Sequence, residues 1–175
     1  MLADLILPVD LPVRTGRVTL RRAGNDDVDA LVDLIVDDAV ARRRGDRDDD
    51  DAAYRNAMEE ILSDSSNELV VGVDAEGRVV ATFQLTRIPG LARRGATRLQ
   101  IEAVRVSREW RGRGVGSAMM RWVMDVAAPA TGSSLVQLTS DAAREDAHRF
   151  YERLGMAASH VGFKYAPGRP VTERV

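Results

Sequence analysis

Residues 111–117 read Arg-Gly-Arg-Gly-Val-Gly-Ser, with three glycines in five positions. A strand-like stretch precedes them and an apolar stretch with helical spacing follows. Glycine is costly at a helix start unless the backbone must adopt a conformation, or admit a neighbour, that a Cβ would obstruct. Strand, short loop, glycines and helix in that order aim several backbone N–H groups at one point. The helix N-terminus adds roughly half a positive charge there. Gly114 and Gly116 lack the Cβ atoms that would keep a ligand away, and Arg111 and Arg113 can add charge-assisted hydrogen bonds. The chemistry this suits is anion binding, most simply of a phosphate. The spacing G-x-G-x-G is neither the dinucleotide fingerprint G-x-G-x-x-G nor the G-x-x-x-x-G-K-[ST] loop of nucleotide triphosphatases. A turn that serves only tight strand–helix packing is the alternative.

Other residues could carry proton transfer. The stretch "RLQIEAVRV" (98–106) holds one carboxylate, Glu102. Alternation puts Gln100, Glu102, Val104 and Val106 on one face and Leu99, Ile101, Ala103 and Arg105 on the other. An acid isolated in an apolar strand needs a partner or a function; Arg98 and Arg105 are the candidate partners. In "DAAREDAHRFYERLG" (141–155), Ala143, Ala147, Phe150 and Leu154 form an inward helical stripe. Arg144, His148 and Tyr151 form an adjacent stripe at i, i+4, i+7 spacing. Tyr151 stands at the edge of the core face, its hydroxyl able to reach a ligand. His148 and His160 are lone histidines, better suited to surface or capping contacts. No His, Asp and Glu cluster has metal-ligand spacing, so no metal is expected. Ser133, Ser134 and Ser140 lack a paired base. Without cysteine there is no disulfide, no thiolate metal site and no covalent acyl-cysteine.

These residues need a scaffold to bring them together. "RVTLRR" (17–22) alternates as a strand. In "NDDVDALVDLIVDDAVARR" (25–43), Asn25 can cap and Val28, Leu31 and Ile35 recur at helical spacing. A charge-dense connection (42–51) leads to a helix near 52–63, with Tyr54, Met58, Ile61 and Leu62 on one face. "ELVVGVD" and "RVVATFQLTRI" form a hairpin through "DAEG". A loop (89–96) leads to the strand 97–107. A helix over about 115–128 turns Val115, Met119, Val123 and Val126 inward. "SLVQLTS" is a strand, 141–155 a helix, and "SHVGFKY" a last strand. The order β-α-α-β-β-β-α-β-α-β predicts an α/β fold, a mixed sheet with helices on its faces. Residues 1–16, with Pro8 and Pro12, are expected as an N-terminal extension, 17–165 as the domain and 166–175 as a tail.

Composition narrows the function class. The 175 residues suit one domain with a sizeable core. Hydrophobic content of 45% and charged content of 30% exclude a disordered chain. A net charge of -2 argues against a dedicated nucleic-acid binder. The first 16 residues lack a basic region and a long apolar run, which argues against a signal peptide. No stretch approaches the roughly 20 apolar residues of a membrane span. A cytoplasmic protein with no membrane partner is expected.

"VRVSREWRGRGVGSAMM" resembles the acetyl-coenzyme A signature of the GNAT acetyltransferase superfamily, Arg/Gln-x-x-Gly-x-Gly/Ala. Arg111, Gly114 and Gly116 stand at its fixed positions. "REDAHRFYERLGM" is similar to the superfamily's second motif, A-x-x-x-Tyr-x-x-x-Gly-Phe, through Ala147, Tyr151 and Gly155. Two departures stand out: Arg144 where the family often has a cofactor-contacting Asn, and Met156 in place of Phe.

The resemblance implies direct acetyl transfer from acetyl-coenzyme A to an amine, with no enzyme-bound intermediate. The cofactor would lie in a splay between the strands at 99–106 and 134–139. Its pantetheine would pair with the backbone of Val104, Arg105 and Val106. Its pyrophosphate would sit on Arg111, Gly112, Arg113, Gly114, Val115, Gly116 and Ser117, with Arg144 and His148 as further contacts. Glu102 would be the base and Tyr151 the donor to the leaving sulfur. The expected acceptor is a small amine or amino acid. A protein lysine or N-terminus, or a non-catalytic acyl-coenzyme A sensor, are the alternatives. The acidic run Asp46 and Asp48–Asp51 would attract a cationic amine, and Arg93 and Arg94 an acidic substrate. A homodimer is implied by the family alone.

Overall fold

The computed structural model describes residues 1–37, 51–165 and 167. The chain divides into two compact units, Met1–Leu138 and Thr139–Val175. The first holds a six-stranded sheet ordered β1 (Val9–Leu11), β2 (Val18–Arg22), β3 (Asn67–Val73), β4 (Val79–Ile88), β5 (Arg98–Val106) and β6 (Leu135–Leu138). The first four pairings are antiparallel and β5–β6 is parallel, so the sheet is mixed as expected.

The two faces of the sheet carry different helices. On one, α1 (Val28–Val36) packs on β4 and β5, and α2 (Asp51–Ser63) packs on β3. Their apolar stripes meet Leu69 and Val71 in a cluster with Val28, Leu31 and Met58, the α1 and α2 positions that helical periodicity selects. On the other face, α3 (Val115–Trp122) sets Trp122 against Phe83, with ring centroids 6.0 Å apart. Val70, Phe83, Leu85, Leu99 and Ile101 are sealed on this side.

Local chemistry fixes the connections. Arg21 grips Asp27 with two hydrogen bonds of 2.7 Å, and Asp27 also accepts from the Gly24 N–H at 2.8 Å. The entry to α1 is therefore held by Asp27 rather than by the expected cap Asn25. The Arg21 guanidinium lowers the Asp27 carboxyl below the usual range against the cost of burial, with help from the Gly24 amide. In the β3–β4 turn, buried Asp74 accepts from the N–H groups of Glu76 and Arg78 at 3.1 and 2.9 Å.

Several expectations are corrected. The helix after the glycines passes into a π-helical turn, Val123–Ala127. That wider turn shifts the inward phase, so Ala127 is buried and Val126 is 49% exposed. Leu62 is also exposed, at the rim of α2. Strand β1 arises within residues 1–16, where short apolar spacing gave no signal. Residues 159–165 form no strand. Alternation there lacks a surface to bury against, and Val161, Phe163 and Tyr165 stand 79%, 93% and 79% exposed.

The second unit contains α4 (Glu145–Arg153), none of whose residues is fully buried. Ala147, Phe150 and Leu154 are half-buried, but Ala143, expected in the same stripe, lies ahead of the helix and is exposed. The acidic run Asp46 and Asp48–Asp50 lies outside the described residues, and Asp51 begins α2.

Candidate active site

Strand β5 is not a regular strand. Thr82 faces Arg105 and Gln84 faces Glu102, so the two steps along β4 oppose three along β5. Ala103 and Val104 share Phe83 as their opposite number, and Ala103 takes a left-handed φ of +51°. This is a β-bulge, and it reverses the side-chain phase of everything after it. The alternation expected across 99–106 is corrected accordingly. Arg105 joins Gln100 and Glu102 on the α1/α2 face, while Val106 joins Leu99 and Ile101 on the α3 face.

The bulge falls where β5 loses its other neighbour. Strand β6 pairs with β5 from Arg98 to Ile101, and Leu138 is its last residue in the ladder. Beyond Ile101 no described strand covers that edge. Just before the opening, Gln137 Nε2 donates to Gln100 Oε1 at 2.7 Å. Glu102 follows at the first open position. Its carboxylate is exposed and makes no hydrogen bond or ion pair with a described residue, so neither Arg98 nor Arg105 neutralises it.

The glycine segment continues from this edge. Arg108–Trp110 form a single 3-10 turn, and Gly112 and Gly114 take φ of +78° and +86°. Gly114 is the N-terminal cap of α3. No backbone N–H from Gly112 to Ser117 donates to a described acceptor. A Cβ added at Gly112 would meet nothing within 4 Å. These donors, without acceptors among the described residues and at the positive end of α3, form a cradle that fits an anion, open at Gly112 and flanked by Arg14 at Gly114.

Arginines surround the cradle. Arg111 donates through Nε to the Val106 carbonyl at 3.0 Å and pairs with Asp37 at 3.2 Å; Arg108 pairs with the same carboxylate at 3.0 Å. The Arg113 guanidinium lies 4.8 Å from the centre of the Trp110 ring. A cleft of about 330 Å³ opens beside the turn, with Asp33, Asp37, Ser107, Arg108 and Glu109 among its lining residues. Asp37 was not anticipated, because only the folded chain brings the end of α1 to the turn.

In the second unit, Arg144 precedes α4, and its N–H donates to the Asp141 carbonyl at 3.0 Å. His148 Nε2 lies 2.9 Å from the same carbonyl, which anchors that ring to the helix entrance. Tyr151 is half-buried and meets Phe150 edge-on, with centroids 5.2 Å apart. Gly155 closes the helix with φ of +89°. In the 89–96 loop Arg93 and Arg94 are exposed and both left-handed.

A family model described as "Acetyltransferase (GNAT) family" matches residues 28–156, from α1 through the residue after Gly155. The chain belongs to the GNAT acetyltransferase family. This GNAT acyltransferase is similar over 85% of its length to a solved transcriptional regulator from Bacillus halodurans C-125, at 39% identity and a TM-score of 0.79 over 99% of that chain. Glucosamine-6-phosphate N-acetyltransferase from Arabidopsis thaliana has the same fold, with 19% identity and a TM-score of 0.68 over 85% of this chain and 97% of that one. Among curated proteins, aminoalkylphosphonate N-acetyltransferase of Salmonella typhimurium is 37% identical over 67 residues, which are 38% of this chain and 43% of that protein.

Proposed function

We propose that the chain transfers an acetyl group from acetyl-coenzyme A to the primary amine of a small molecule or amino acid, by direct attack in a ternary complex. The observation that carries this reading is the run of N–H groups from Gly112 to Ser117 that have no acceptor among the described residues, just after the edge of β5 that no described strand covers.

When bound, the cofactor supplies an activated acetyl thioester. The amides of Gly112–Ser117 hold its pyrophosphate at the positive end of α3, and Arg111 and Arg113 add charge. The backbone of Val104, Arg105 and Val106, beyond the last β5–β6 pair, would take its pantetheine amides. Glu102 accepts the proton an ammonium acceptor must lose before its nitrogen can attack, directly or through water. As the new C–N bond forms and the C–S bond breaks, Tyr151 would give its phenolic hydrogen to the leaving sulfur and regain a proton from the one the acylated nitrogen sheds on becoming an amide. Arg144 and His148 are further cofactor contacts in this reading.

The acceptor class draws support from the Salmonella relative, whose name describes an amine on a phosphonate-bearing chain. We place the reaction in the cytoplasm, with residues 17–165 as the acetyltransferase domain and no metal, nucleic-acid or membrane partner. Among the described residues no group of three His, Cys, Asp or Glu could hold an ion, and no helix is long and apolar enough to cross a membrane. A sensor that binds acyl-coenzyme A without catalysis is a second reading, favoured by the Bacillus relative, which is named a transcriptional regulator.

Thermal denaturation with a ligand panel tests the cofactor. Acetyl-coenzyme A should raise the melting temperature by mass action, and NAD and ATP should not. No shift at saturating acetyl-coenzyme A overturns the reading. Thiol release with a panel of amines then separates enzyme from sensor. Tyr151→Phe should slow release while leaving cofactor affinity near that of the wild type.

A further inference from the structure

We infer that Arg14, in the segment between β1 and β2, is a further ligand for a phosphate of the cofactor. The inference rests on the reading of the glycine turn as the cofactor's anion site. Position 14 lies outside both the signature and the residues matched by the family model.

Arg14 is docked on the turn. Its N–H donates to the carbonyl of Arg113 at 2.9 Å. A Cβ built on Gly114 would lie 3.3 Å from Arg14 Cγ and 3.8 Å from Cδ, so the aliphatic stem lies over the bare face of that glycine. Two residues on, a Cβ at Gly16 would meet the Trp110 ring at 2.8 and 3.0 Å. The same ring carries the Arg113 guanidinium. Residues 14–16 are thus seated on residues 110–114 by a backbone hydrogen bond and by two glycines that admit side chains.

Among the described residues the charge of Arg14 has no counterpart. Of the four arginines in the first 22 residues, Arg17 pairs with Asp10, Arg21 with Asp27 and Arg22 with Glu68. The exposed Arg14 guanidinium has neither an ion pair nor a hydrogen bond among the described residues. Around the turn, Arg108 and Arg111 share one carboxylate, Asp37, while Arg14 and Arg113 have none among the described residues. An arginine with a fixed backbone, a packed stem and a free head, beside six N–H groups that lack acceptors, is pre-organised for an anion. Coenzyme A offers two kinds, the pyrophosphate and the 3′-phosphate.

Arg14→Gln keeps the backbone N–H and the stem and removes only the charge. Calorimetry on the full chain should give a dissociation constant for acetyl-coenzyme A raised about 10-fold, as one charge-assisted contact is lost. The dependence of affinity on salt should become shallower, and Arg14→Lys should recover part of the loss. A penalty that disappears with dephospho-coenzyme A assigns the contact to the 3′-phosphate, and one that persists assigns it to the pyrophosphate; either supports the inference. Binding by Arg14→Gln within twofold of the wild type overturns it while leaving the cofactor reading intact. A wild-type chain that fails to bind acetyl-coenzyme A overturns both.

Discussion

Asp37, at the C-terminal end of α1, holds Arg111 of the glycine turn in an ion pair of 3.2 Å. The same carboxylate holds Arg108 at 3.0 Å, so one negative charge answers two positive ones and ties a helix to the anion cradle. Both arginines are more than half exposed, and solvent screens such pairs to about 1 kcal/mol or less. Asp37→Asn should therefore lower stability by under about 1 kcal/mol in urea denaturation. It should also leave two uncompensated cations at the cradle. Acetyl-coenzyme A affinity should rise about threefold at low salt and return to the wild-type value near 1 M salt, where the Debye length shrinks to about 3 Å. Weaker binding at low salt would show that Asp37 acts by holding Arg111 in place.

Ala103 occupies the left-handed region at the β5 bulge, which costs a residue with a Cβ about 1–2 kcal/mol. Ala103→Gly should recover part of this, raising the unfolding free energy by up to about 1 kcal/mol. Ala103→Val, with its stiff branched side chain, should lower it by more than about 1 kcal/mol. Denaturant melts of the two variants should move in opposite directions. A shift of both in the same direction would remove strain at Ala103 as a feature of the strand.

Gly112 and Gly114 allow a controlled comparison. Both have positive φ, so an alanine at either should cost about 1 kcal/mol in stability. A methyl at Gly112 enters open space, whereas one at Gly114 presses on the Arg14 stem. The two variants should melt at similar temperatures. Gly114→Ala should bind acetyl-coenzyme A more weakly than Gly112→Ala, by a factor that Arg14→Gln reduces in a double-mutant cycle.

These residues mark how far the sequence could be read. The extent of β5, the turn after it and the start of α3 were legible, because apolar period and glycine punctuation are local signals. The bulge was not: whether Ala103 and Val104 oppose one residue or two depends on the register of β4, a partner ten or more positions away. Arg105 and Val106 therefore came out on the wrong faces. Arg14 and Asp37 were missed for a related reason. Neither sits in a motif, and each meets the turn only after the chain has folded back on itself. Residues 159–165 show the converse, since alternation marks a segment that can pair without providing a partner.

Asp27 gives stability an acid limb. Its carboxyl is lowered in the folded chain, chiefly by Arg21. The resulting stabilisation is complete above the unfolded value of about 3.9 and is lost as pH falls through the lower folded value. The urea midpoint should hold between pH 7 and 5 and fall below about pH 4. In Asp27→Asn the unfolding free energy should already be lower at pH 7, by about 1–2 kcal/mol given that Arg21 is partly exposed, and its acid decline should be shallower.

Glu102→Gln tests the proposed base. Turnover should fall by about 100-fold or more if this carboxylate takes the proton. The dissociation constant for acetyl-coenzyme A should stay within twofold of the wild type. Unchanged turnover would assign the proton to another acceptor.

The packing around the turn also has an optical consequence. The chain has two tryptophans. Trp122 is sealed against Phe83, while Trp110 is partly open, with a guanidinium over its ring and Gly16 against its edge. Their emission should separate under a soluble quencher: the Trp122 fraction becomes accessible only on unfolding, the Trp110 fraction in the native protein. A molecule seated on the turn would dim or shield the accessible fraction alone, so occupancy of the cradle could be followed by light without a label.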